Sequence, residues 1–138
     1  MAKSKETKNR AAIARIPMSE NLFHDLGTQL GVPVFEKEED YSHVLTFGNN
    51  VFGMLLQTFD DIEIAEEAFY DFYEQVKYKY FTRNTRWFVG HGYKAFTCQS
   101  NDMIIHYISI VRNTILFGWS APDTFMKLTK GIKELGYA

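Results

Sequence analysis

The spacing of apolar residues divides the chain into three helical and six strand-like stretches. Leu22, Phe23, Leu26 and Leu30 recur at helical steps behind Ser19, a fair N-cap, with Pro17 just before it. Gly31 stands where a left-handed residue closes a helix, and Pro33 prevents its resumption. Glu36–Tyr41 reads as a charged connector. The runs His43–Phe47 and Val51–Phe59 are strand-like. Gly48-Asn49-Asn50 between them tolerates the positive φ of tight turns, which predicts a β-hairpin.

The central helix carries the strongest periodicity. Asp60 and Glu63 make a capping box, and Glu66 and Glu67 add negative charge near the positive end of the helix dipole. Ile62, Ala65, Phe69, Phe72, Val76 and Tyr80 form one apolar face, Lys77 and Lys79 lie near the other end, and Thr82–Thr85 is a polar break. Four strand-like runs follow: Arg86–Val89, Tyr93–Cys98, Met103–Val111 and Thr114–Trp119. In the last, Ile115, Phe117 and Trp119 share one face and Leu116 takes the other with Gly118. A closing helix starts at Pro122, capped by Ser120 with Asp123 three residues on. Phe125, Leu128, Ile132 and Leu135 are its buried stripe, and Gly136 ends it.

Links of two to four residues cannot make parallel crossovers, so the strands predict a mostly antiparallel sheet. Three amphipathic helices must then cover its faces. The expectation is an α+β domain over residues 19–138, with the N- and C-terminal helices on one face and the long helix on the other.

Composition adds exclusions. An apolar fraction of 46% with 23% charged residues belongs to a folded globular chain rather than a disordered one. No apolar run reaches the ~18–20 residues that a membrane helix needs. The single cysteine, Cys98, cannot close an internal disulfide. Charge is uneven: Met1–Arg15 holds five basic residues against Glu6, a net +4, while the remainder carries −6. Residues 1–18 therefore read as a flexible basic arm, suited to an acidic protein surface, an anionic lipid surface or nucleic acid, or simply to solubility. It has no apolar stretch of the secretory kind, and the expected location is cytoplasmic.

Catalytic chemistry finds little support. His24, His43, His91 and His106 do not pair with one another or with Cys98 at metal-ligand spacing, so neither a metal nor a cofactor is expected. Cys98 with His106 could make a thiolate nucleophile across neighbouring strands, but a small buried cysteine is the commoner case. Gly90-His91-Gly92 precedes a strand rather than a helix and reads as a turn, not a phosphate loop. The 12 Phe, 8 Tyr and 2 Trp are more than one small core usually absorbs. Phe23, Phe52, Trp119, Tyr137 and the Tyr70/Tyr73/Tyr78 set are candidates for partial exposure. Exposed aromatics suit capture of proline-rich segments. The acidic folded part and the lack of an RNA-binding aromatic motif argue against nucleic acid.

With these elements in order, the chain resembles a profilin over roughly Ser19–Ala138. Thr46-Phe47-Gly48-Asn49-Asn50-Val51-Phe52 is similar to the family's first hairpin, Arg86-Trp87-Phe88-Val89 to the strand after the central helix, and Asn113–Trp119 with the helix to Leu135-Gly136-Tyr137 to its end. The resemblance implies a monomeric, non-catalytic, cytoskeleton-associated actin-monomer-binding protein that also takes proline-rich segments and acidic phosphoinositides; the basic arm is an addition to the family pattern, and its charge suits it to the phosphoinositides. It implies an actin face at Arg86, Phe88, His91, Asp123, Thr124 and Lys127, and a proline site at Phe23, Phe52, Tyr137 and Trp119. The family's Trp near the start of the first helix is missing, Phe52 replaces the hairpin Trp, and Gly131 lies about where some members carry a His. Two other classes fit the same element order: a roadblock- or longin-like module that dimerises or docks on small GTPases, and a small enzyme whose histidines meet only in space.

Overall fold

The computed structural model describes residues 17–49, 51–79 and 83–138. The basic arm lies outside them, except that Pro17 and Met18 already belong to the first helix; the end of the central helix near Phe81 lies outside as well. The described elements are α1 (Pro17–Leu30), β1 (Phe35–Glu39), β2 (Ser42–Gly48), β3 (Phe52–Phe59), α2 (Ile62–Lys79), β4 (Arg83–Val89), β5 (Lys94–Gln99), β6 (Ile105–Val111), β7 (Thr114–Ser120), a short 3-10 turn (Pro122–Thr124) and α3 (Phe125–Leu135).

Seven strands form an antiparallel sheet in the order β1-β2-β3-β7-β6-β5-β4. Hairpins build β1 to β3, α2 carries the chain to the far edge, and β4 to β7 return until β7 pairs with β3. Alternation along each strand sorts the core into two layers. Phe52, Met54 and Leu56 of β3, Tyr107 of β6 and Leu116 of β7 join Phe23 and Leu26 of α1 and Leu128, Ile132 and Leu135 of α3. On the opposite face Phe96, Ile108, Ile110 and Ile115 meet Ala65 and Phe69 of α2. The expected α+β architecture is thus observed, with the terminal helices together on one face and the central helix on the other.

The close approach of α3 to α1 uses Gly131, where a Cβ would stand 3.0 Å from a Leu26 methyl. The C-terminus is pinned to the same face by its backbone. The Tyr137 carbonyl accepts hydrogen bonds from the hydroxyls of Tyr107 at 2.8 Å and Ser109 at 2.7 Å. Gly31 and Gly136 end α1 and α3 at φ 70° and 90°, as their positions in the sequence predict.

Several local expectations are corrected. Glu36–Tyr41 is not a connector: β1 pairs with β2 from Phe35 to Glu39, a strand of exposed residues held by backbone bonds. Ser19 is not a cap but lies inside α1, buried, where the Tyr137 hydroxyl donates to its Oγ at 3.5 Å. Asp61, not Asp60, caps α2, accepting from the Glu63 amide at 2.7 Å. Ser120 caps nothing; its Oγ is buried and has no hydrogen-bond partner. Leu22 and Ile62, placed on apolar helix faces by spacing, are exposed.

Candidate interaction surface

The far edge strand β4 displays the largest apolar exposure on the sheet. Register places Phe88 opposite Ala95 and Arg86 opposite Thr97, on the face that the terminal helices cover further along. α1 packs over β2 and α3 over β7, so Arg86 and Phe88 at the edge remain exposed. Trp87 and Val89 point to the opposite face, and Val89 is 78% exposed.

Trp87 is held in place by aromatic contacts. Its ring centre lies 4.9 Å from Tyr73, 5.2 Å from Phe96 and 6.0 Å from Phe69. These are tilted and edge-on arrangements that such rings prefer. Tyr70 extends the cluster, 6.4 Å from Trp87. Its hydroxyl accepts from Lys94 Nζ at 2.8 Å, a bond that raises the lysine pKa. Beside it a groove of about 360 Å³ is lined by Glu66, Tyr70, Tyr93, Lys94 and Arg112. Tyr70 and Tyr78 are exposed and Tyr73 half-buried, in line with the partial exposure expected of them.

The six residues implied for an actin face fall into two groups. Arg86, Phe88 and the exposed His91 lie on β4 and the turn after it, which Gly90 closes by donating its amide to the Tyr93 carbonyl at 3.1 Å. Asp123 and Thr124 occupy the 3-10 turn, and Lys127 lies in the first turn of α3. Lys127 Nζ lies 5.9 Å from the centre of the Phe52 ring, so it reaches toward the first hairpin rather than toward β4.

The aromatics implied for proline binding do not share one exposed groove. Phe23, Phe52 and Tyr137 are buried together in the layer between the terminal helices and the sheet, which corrects their expected partial exposure. Trp119 is half-buried on the opposite face, stacked on Gly53, where a Cβ would stand only 2.0 Å from its ring. Burial explains the difference: once α1 and α3 meet, their large side chains are each other's cover.

His106 packs against the turn between β5 and β6. Ser100 Oγ contacts His106 Nε2 at 3.2 Å and bonds the Asp102 carboxylate and the Ile104 carbonyl. Nucleophile activation needs the carboxylate on the imidazole; here it bonds the serine, which closes the β5–β6 turn. Burial lowers the His106 pKa, partly offset by Asp102. Cys98, directly across from His106 in the register, is buried.

Spacing alone missed two features. The Trp87 cluster joins residues of α2, β4 and β5, and a knot of carboxylates gathers round His43: Glu38 bonds its Nδ1 at 2.6 Å, and Glu20 lies 3.5 Å from its Nε2. Paired carboxylates two apart on a charged stretch were the available signal. No helix among the described residues is long and apolar enough to cross a membrane. No protein-family model, curated protein or solved structure matches this chain.

Proposed function

We propose that this protein is a non-catalytic, profilin-like binder of actin monomers that docks through the β4 edge and the start of α3. The observation that carries this reading is the exposed pair Arg86 and Phe88, on the sheet face shared with the terminal helices. An apolar contact beside a cation is the usual make-up of a protein-binding surface, and Arg86 and Lys127 would steer an acidic partner. The element order quoted above supports the family resemblance, and the antiparallel sheet with paired terminal helices is compatible with it.

The resemblance also brings proline-rich segments and acidic phosphoinositides as partners. With Phe23, Phe52 and Tyr137 buried, proline capture at these positions requires α1 to lift from the sheet, so we place actin binding first. A 15N-HSQC titration of the labelled chain with actin monomers, then with a polyproline peptide, tests both. Loss of signals at Arg86–His91 and Asp123–Lys127, abolished by Phe88→Asp, is the expected result. Silence toward actin together with an obligate dimer in sedimentation overturns it in favour of a dimerising, GTPase-docking module.

A further inference from the structure

We propose that the groove between α2 and the neighbouring ends of β4, β5 and β6 binds a small organic monocarboxylate with an apolar or aromatic body. Register sets its floor. Val89, Lys94 and Ile110 lie directly opposite one another across β4, β5 and β6, on the face that α2 covers. Val89 and Ile110 are apolar, so Lys94 sets an ammonium in the middle of an apolar row. From α2, Phe69 and Tyr70 form a wall. Tyr93 lines the groove too, its ring so close to Gly90 that a Cβ there would stand 2.0 Å away. The space of about 360 Å³ falls at the small end of the range usual for organic ligands, roughly 300–1,000 Å³.

The charges point to a single negative group. Lys94 and Arg112 both line the groove, and neither makes an ion pair among the described residues. The Tyr70 oxygen accepts from Lys94 Nζ at 2.8 Å, which leaves the tyrosine O–H to donate to a ligand. Arg112 enters from the turn between β6 and β7, at a φ of 55° that arginine rarely adopts. Its planar fork can hold both oxygens of a carboxylate, with Lys94 beside it as a point charge. Glu66 is the only carboxylate among the described lining residues, so the groove carries a net +1. That balance matches a monoanion, whereas a phosphate dianion would exceed it and face repulsion from Glu66. The apolar body then rests on Val89, Ile110 and Phe69, where covering Val89, now 78% exposed, adds to the affinity.

A 15N-HSQC titration of the full labelled chain with phenylacetate tests this, with acetate, phenethylamine and phenyl phosphate as comparisons. Phenylacetate should give saturable shifts at residues 66–70, 89–94 and 110–112. It should bind at least ~10-fold more tightly than acetate, which lacks the body, or phenethylamine, which reverses the charge. Lys94→Gln and Arg112→Gln, at exposed positions, should keep the wild-type circular dichroism and weaken phenylacetate binding by at least ~10-fold. Glu66→Gln should do the reverse, tightening phenylacetate and raising the affinity for phenyl phosphate. Absence of saturable shifts, an equal response to phenethylamine, or undiminished binding in both charge variants overturns the proposal. Tighter binding of phenyl phosphate than of phenylacetate by the wild-type chain also overturns it, since the groove is then a phosphate site. Neither result bears on the actin reading, because Arg86 and Phe88 lie on the other face of the sheet.

Discussion

At one edge of the sheet β1 presents Glu36, Lys37, Glu38 and Glu39; at the other β4 presents Trp87, Phe88 and Val89. Among the described residues, both strands leave one row of backbone donors and acceptors without a partner strand. On β1, charge discourages another strand from adding there, the usual protection of an edge. On β4 that protection is missing over three residues, and the apolar side chains alternate to both faces. Natural sheets rarely leave such an edge bare without a use for it, which supports the proposal that a partner docks on β4. The contrast also separates two kinds of anchoring: β4 is held by aromatic contacts across to α2, whereas the β1 edge is tied to α1 through ions and imidazoles.

The largest expected effect comes from removing the β4 anchor. Trp87→Ala deletes contacts with Tyr73, Phe96 and Phe69 and should destabilise by about 2–3 kcal/mol, below the value for a fully buried Trp because the ring is 42% exposed. Urea midpoints measure it, and a loss under 0.5 kcal/mol, the ordinary surface value, would make the cluster decorative.

A control lies between the edges. Burial pushes the Tyr107 hydroxyl up to about 12 from 10.0, so the folded state keeps a proton that the unfolded chain releases. Stability is then full below pH 10 and falls as pH rises from 10 toward 12. Tyr107→Phe should flatten that slope in alkaline denaturation curves. At neutral pH the same change costs about 1 kcal/mol, through the lost bond to the Tyr137 carbonyl.

The smallest effects on stability sharpen the comparison most. Val89→Lys should change stability by less than ~0.5 kcal/mol while reducing concentration-dependent self-association in light scattering, because it gives β4 the protection that β1 already has. Lys37→Ala should leave stability within ~0.5 kcal/mol, since its ion pair with Glu39 at 3.3 Å is solvent-exposed. If Lys37→Ala instead promotes association, charge on β1 has a measurable protective role of its own.

Much of the architecture was legible in the chain. Period-2 and period-3.6 patterns marked three helices and six of seven strands, and the short links required antiparallel pairing. The missed strand, β1, has no buried position, so hydrophobic periodicity could not reveal it. Caps moved by a residue or more because several polar residues near each helix start compete for the same amides: Asp61 displaced Asp60, and Pro17 began α1 ahead of Ser19. Of the candidate surface, Arg86 and Phe88 were legible as strand positions and His91 as part of a turn, but their exposure was not, since it depends on which strand ends at the sheet edge. The burial of Phe23, Phe52 and Tyr137 was not, since aromatic content does not say which rings face one another.

By itself the sequence determined the α+β class, the antiparallel sheet and the faces of its helices, because these follow from local spacing and link length. Only the tertiary structure decided which edge is bare, which aromatics are covered and that His24 and His43 meet three carboxylates. Those outcomes depend on residues far apart in the chain arriving at the same place. Pairing of β7 with β3 and docking of α1 over β2 bring that about, and no local pattern encodes either distance.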